Sequence, residues 1–257
     1  MFSSIMKKLQ EIETEHKVKI LYAVESGSRG WGFASQDSDY DVRFIYIQPR
    51  DWYLSVDTKK DFIEYPINDL LDINGWDIRK ALQLYKKSNP PLLEWLSSPI
   101  VYIESFQFSQ EMRDLLTTYF APVPALYHYL HIAQKHLKEI GQAGEIKIKK
   151  YFYILRPILA CRWIEKNHTM PPMEFEKLLK DQPLDERITL EIRALLAKKM
   201  AGQETDREYK NSIIVDFLQQ QATKYDAYLK NNKKGLEPDY SSLNQLFRKT
   251  LQEVWRG

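Results

Sequence analysis

A change of hydrophobic period near residue 105 limits what this chain can fold into. Before it, KVKILYAVE (17–25), DVRFIYIQ (41–48), DFIEYPI (61–67) and DLLDING (69–75) alternate polar and apolar residues or run in β-branched and aromatic ones, the pattern of strands. Beyond it the apolar spacing is helical, over roughly 106–119, 124–142, 147–166, 173–180, 186–202, 208–230 and 241–255. Further helices are expected at 3–15 and 76–88, the second stopped by Asn89-Pro90-Pro91, because proline lacks an amide proton and disfavours a helical residue before it. The expectation is an α+β protein: a mixed sheet with flanking helices over residues 1–120, strands 17–25 and 41–48 adjacent in it, then an all-helical part over 121–257. KNNKKGLEPDYSS (230–242) reads as a surface loop.

Between the two clearest strands lies SGSRGWGFASQDSDYDVR (26–43), with glycines at 27, 30 and 32 and aspartates at 37, 39 and 41. Glycine lets a backbone approach a ligand closely, and three carboxylates so near one another call for a positive partner. A phosphate-binding P-loop would need lysine where Phe33 stands, and the glycine gaps do not match a dinucleotide fingerprint. A calcium-binding EF-hand starting at Asp37 would need glycine and glutamate where Val42 and Gln48 stand. What remains is Gly27-Ser28, an eleven-residue step to Asp39, and Asp39-x-Asp41 entering a strand. Side chains two apart on a strand share a face, so both carboxylates can approach the same divalent ions, and magnesium favours few carboxylates plus phosphate oxygens. The expected ligand is a magnesium-bound nucleoside triphosphate, its phosphates beside Gly27, Ser28, Arg29 and Ser38.

Other chemistries are poorly supported. His128, His131 and His136 do not share one helical face and have no cysteine or acid to complete a zinc set, so they read as structural or surface residues. Ser28 sits in G-S-R-G, not in the G-x-S-x-G turn of a serine hydrolase. Trp31 and Phe33 read as core packing in preference to a nucleobase cover. One cysteine, Cys161, excludes an internal disulfide and suits a reducing compartment; with no signal-peptide pattern and no run of about 18 apolar residues, the expected location is the cytoplasm, with no membrane association. Residues 1–120 carry a net −4 and residues 121–257 a net +6, an acidic half beside a basic one.

Gly27-Ser28 and Asp39-Tyr40-Asp41 resemble the signature of the polymerase-β-like nucleotidyltransferases. GSRGWGFASQDSDYDVRFIY, LDINGWDIRKAL, SNPPLLEWLSSPIVY and KKYFYILRPILACRW, which fall within residues 27–163, resemble more closely a bacterial nucleotidyltransferase family described as RNA-ligase-associated. The resemblance implies transfer of a nucleoside monophosphate from a triphosphate such as ATP to a hydroxyl, with Mg²⁺ or Mn²⁺ held by Asp39, Asp41 and a third carboxylate. Alternation along LLDIN favours Asp72 for that third position, with Asp77, also readable as a helix cap, as the alternative. The resemblance also implies a helical domain closing over the nucleotide, with Lys150, Tyr153 and Arg156 on the triphosphate, and an RNA end or an RNA ligase as partner. Pro157 predicts a kink in that helix. A nucleotide- or RNA-binding accessory protein without turnover is the other reading; acceptor, base preference and oligomeric state are left open by the sequence.

Overall fold

The computed structural model describes residues 1–65, 70–141, 143–180, 182–203, 205–232 and 238–256. Parts of four sequence-derived assignments, the strands at 61–67 and 69–75, the end of the helix at 124–142 and the loop at 230–242, therefore lie outside the described residues.

The first part runs α1 (Phe2–His16), β1 (Lys19–Glu25), the single turn α2 (Gly27–Gly30), β2 (Tyr40–Ile47), α3 (Arg50–Tyr53), β3 (Phe62–Glu64), β4 (Leu71–Asp77), α4 (Ile78–Lys86), α5 (Pro90–Leu96) and β5 (Val101–Glu104). Its five strands form one mixed sheet in the order β3-β4-β2-β1-β5. β1 and β2 are neighbours, as expected, and pair antiparallel, whereas β2 and β4 are parallel with Asp41 opposite Asp72. Ile5, Leu9 and Ile12 of α1 cover one face of the sheet, against Ile20, Phe44 and Ile73. Ile78 and Leu82 of α4 and Leu92 and Trp95 of α5 cover the other, against Leu21, Val24 and Ile45. A sheet covered on both faces explains why all of β1 after Lys19 is buried.

Helix α5 begins where the sequence predicts a stop. Asn89 accepts a hydrogen bond from the Leu92 amide at 3.2 Å, and Pro90 occupies the first turn, where a missing N–H costs nothing. The same Asn-Pro-Pro therefore ends one helix and opens the next.

The remainder is α6 (Phe108–Asp114), α7 (Leu116–Tyr119), α8 (Pro122–Ile140), β6 (Glu145–Lys147), α9 (Ile148–Asn167), α10 (Phe175–Lys180), α11 (Glu186–Lys198), a π-type turn (Lys199–Gln203), β7 (Arg207–Tyr209), α12 (Ser212–Asn231) and α13 (Ser241–Val254). The architecture is α+β, with one departure from the all-helical expectation for this part: β6 and β7 pair antiparallel and fix the start of α9. Helices α8, α9, α11 and α12 enclose a second core around Tyr151, Phe152, Leu155 and Ile158. That core reaches across to Phe33 of the glycine-rich loop, which packs on Phe152 and Phe175 at ring separations of 5.1 and 5.4 Å. α9 passes through Pro157 as one helix of 20 residues, held by burial on both sides of the proline. α13 returns to the first core, placing Leu243 and Leu246 beside the α4 and α6 residues. Among the described residues no helix is long and apolar enough to cross a membrane.

Candidate active site

The site grows from the end of β1. Glu25, wholly buried, accepts the Asp41 amide at 2.8 Å and the Tyr102 hydroxyl at 2.5 Å. Ser26 N–H in turn donates to the Asp41 carbonyl at 2.8 Å, so the start of the glycine turn is fastened to β2. Gly27 is required here twice over: its φ is +54°, and a Cβ would lie 1.8 Å from Asp41 Oδ2. Burial raises the Glu25 carboxyl above its usual range, opposed by its bonds to Tyr102 and the Asp41 amide.

Asp41 and Asp72 face each other across the parallel pair, bridged by Arg43, whose Nη2 donates to Asp72 Oδ2 at 2.7 Å and to Asp41 Oδ1 at 3.1 Å. Its Nη1 donates to the Val42 and Asp72 carbonyls, each at 3.1 Å. Burial pushes the Asp41 carboxyl up, Arg43 draws it down, and the charges of Asp72 and Asp39 push it up again. Acids do crowd here, but Asp72 stands where the sequence pattern pointed to Asp37, and a guanidinium partly relieves the repulsion.

Asp39 and Asp41 open onto a compartment of about 370 Å³ lined also by Gly27, Ser28, Ser38, Phe152, Tyr153, Lys149 and Lys199. Here the sequence-derived contacts divide. Gly27, Ser28, Ser38 and Tyr153 line the space; Arg29 instead braces the loop from behind, donating to the Ser38 and Asp39 carbonyls at 2.7 and 3.2 Å and lying over Tyr40. Lys150 turns away to pair with Glu139, and Lys149 takes the cleft position. With the start of α9 set by the β6–β7 pair, one residue of phase is about 100° of rotation. Arg156 is 4% exposed and bound to Glu94 at 2.7 Å, so its charge is met within the protein. Lys199, buried at the π-type turn and 5.1 Å over the Phe33 ring, went unnoticed in the sequence, as did Glu25. A charge ending an otherwise apolar strand was the signal for Glu25; KKM gives none for Lys199.

Asp77 belongs elsewhere. It lies five positions along β4 from Asp72, roughly 16 Å at the strand rise. Fully buried, it caps α4 by accepting the Arg79 amide at 2.9 Å and also accepts the Tyr53 hydroxyl at 2.7 Å. It is a cap and not a ligand of the cleft. Asp77→Ala is expected to lower stability by about 1–2 kcal/mol in urea melts while leaving nucleotide affinity unchanged.

The donor chemistry fits a hard divalent cation. Asp41 and Asp72 pair on neighbouring strands and share Arg43, and Asp39 and Asp41 line a space with room for phosphate oxygens. Among the described residues no three acids, histidines or cysteines form a ready-made metal cage.

A second compartment of about 310 Å³ shares Ser26, Trp31, Arg43, Phe152 and Tyr153 with the first. Asn74, Trp76, Trp95, Tyr129, His128 and His136 help to line it, which gives two of the three histidines a place on the cleft wall. Burial lowers the His128 imidazole, favouring its neutral form.

A mixed sheet carrying a Gly-Ser turn, paired acids on neighbouring strands and a helical cover defines a nucleotidyltransferase-like fold. Residues 1–249 match the model of the RNA repair pathway DNA polymerase beta family, RlaP, and the chain belongs to that family. It is 49% identical over 252 residues to a Bacillus subtilis (strain 168) protein described as uncharacterized protein YcgL, covering 98% of this chain and 97% of that one. A solved structure of a nucleotidyltransferase-like protein from Exiguobacterium sibiricum 255-15 aligns over 97% of this chain and 90% of its own, at 14% identity and a TM-score of 0.32.

Proposed function

We propose that the protein transfers a nucleoside monophosphate from a nucleoside triphosphate to a hydroxyl acceptor. The acceptor oxygen bonds to the α-phosphorus, the bond to the β-phosphate oxygen breaks, and pyrophosphate leaves. The observation that carries this reading is the compartment itself, which Asp39, Asp41, Lys149, Lys199 and the Gly27-Ser28 turn line together. Lysines and a glycine turn suit the departing phosphates, since charge-assisted bonds to phosphate are the strong kind. In this reading Asp72 takes the acceptor's proton. Magnesium or manganese, held by Asp39, Asp41 and Asp72, would supply positive charge at the reacting phosphate.

The direct test is pyrophosphate release from each of the four triphosphates, with and without magnesium and short RNAs. Release that requires the metal supports the reading; nucleotide binding with no release under any condition would leave an accessory protein instead. Arg43 gives a separate readout. Because its guanidinium holds the two acids that the cation needs, Arg43→Gln is expected to tighten Mn²⁺ binding about tenfold, the scale of one charged hydrogen bond, as followed by electron spin resonance without nucleotide.

A further inference from the structure

Beyond Arg43 the cleft changes character. Both lysines of its described walls, Lys149 and Lys199, line the carboxylate side. The second compartment is walled by aromatic rings instead. Trp76 and Trp95 stack at 4.0 Å with 33° between their planes, and His136 lies 5.4 Å from Tyr153 at 35°. Its buried arginine, Arg156, is neutralised by Glu94, whose Oε1 also accepts the Tyr129 hydroxyl at 2.6 Å. Such a space favours a planar, uncharged group over a phosphate.

Its polar features suit hydrogen bonding to the edge of such a group. The Asn74 amide and the Glu94 carboxylate offer donors and acceptors at the wall. Two further wall residues, Trp31 and Arg156, contain buried nitrogens with no hydrogen-bond partner, Nε1 and Nε. Unpartnered buried donors are uncommon in a finished protein interior and are expected where a ligand or water completes the wall. A volume of about 310 Å³ is at the small end for ligand sites, enough for one base and its sugar.

Position indicates which group enters. Asn74 and Trp76 follow Asp72 on the same face of β4, about 7 and 14 Å along it at the strand rise. The compartment therefore continues from the acid assigned to the acceptor, while the phosphate-binding lysines lie in the other. Resting on the transfer reading above, we infer that this aromatic compartment seats one unpaired nucleobase at the end of a single-stranded nucleic acid, and that this end is the acceptor. A protein or small-alcohol hydroxyl would leave the ring faces without a use.

The test compares binding of a labelled RNA tetranucleotide with the same oligonucleotide lacking its terminal base, using anisotropy at two salt concentrations, alongside ATP binding by calorimetry. The wild type should bind the abasic oligonucleotide about tenfold more weakly, as expected for loss of one base–aromatic stack. Trp76→Leu should lose the same factor for the intact oligonucleotide, Trp76→Phe should recover most of it, and ATP affinity should stay unchanged in both. The abasic comparison needs no variant, so a folding defect in Trp76→Leu cannot hide the answer. Equal binding of the two oligonucleotides overturns the proposal. So does a loss confined to ATP, which would give the compartment to the incoming nucleotide. Base-dependent RNA binding without pyrophosphate release would uphold the base site and refute transfer.

Discussion

Asp41→Asn is expected to reduce transfer by about a thousandfold while raising the melting temperature of the metal-free protein. The loss follows from removing one charge among the acids that would hold the cation, at nearly constant volume. The gain follows from the carboxyl's surroundings. Burial together with Asp72 and Asp39 outweighs Arg43, so the folded protein binds the Asp41 proton more tightly than the unfolded chain does. The sign follows directly: this group's contribution to stability falls as pH rises from the ordinary carboxylate value through the raised folded one, and is lowest above both. The asparagine variant lacks that penalty. Its stability advantage should therefore shrink as pH is lowered through the same window, as measured by thermal melts in chelator. An Asp41→Asn protein with unaltered pyrophosphate release would remove Asp41 from the mechanism.

Arg156→Ala should lower stability by about 3–5 kcal/mol, because it strands Glu94 as an uncompensated buried charge. For a chain of this size that corresponds to a fall of about 6–20 °C in Tm. The pair spans the two cores: Glu94 belongs to α5 on the sheet, Arg156 to α9 in the helical layer. Buried ion pairs are commonly replaceable by well-packed neutral groups. Combining Arg156→Met with Glu94→Gln should therefore recover most of the loss and still offer Tyr129 an acceptor. Weakened ATP binding in the stable double variant, out of proportion to its stability, would return Arg156 to the role expected from the sequence.

The sequence pattern carried the parts of the fold fixed locally. Alternation reveals β1, a β-branched and aromatic run reveals β2, and the spacing of Gly27-Ser28 to Asp39 and Asp41 marks the place where turn and strand meet. Asp72 could be favoured over Asp77 because strand parity separates them, but only the parallel register sets Asp72 opposite Asp41. Helical spacing from Lys149 to Tyr153 and Arg156 puts Lys149 on the face of Tyr153, and the structure follows that spacing in preference to Lys150, which the resemblance implied. Lys199 enters the cleft from a turn about 160 residues after Asp41, a placement that only tertiary packing creates. The buried partnership of Arg156 was hidden for the same reason: Glu94 lies 62 residues away.

The return of α13 to the sheet has a consequence for how the molecule comes into being. Leu243 and Leu246 seal a core whose other members are drawn mostly from residues 21–119. During synthesis the strands that carry Asp41 and Asp72 thus emerge well before the helix that closes the hydrophobic layer beneath them, and chains fold vectorially only as far as their contacts have been made. Until then that layer lacks Leu243 and Leu246. A shortened product ending before α13 would carry every acid of the site over an incomplete core.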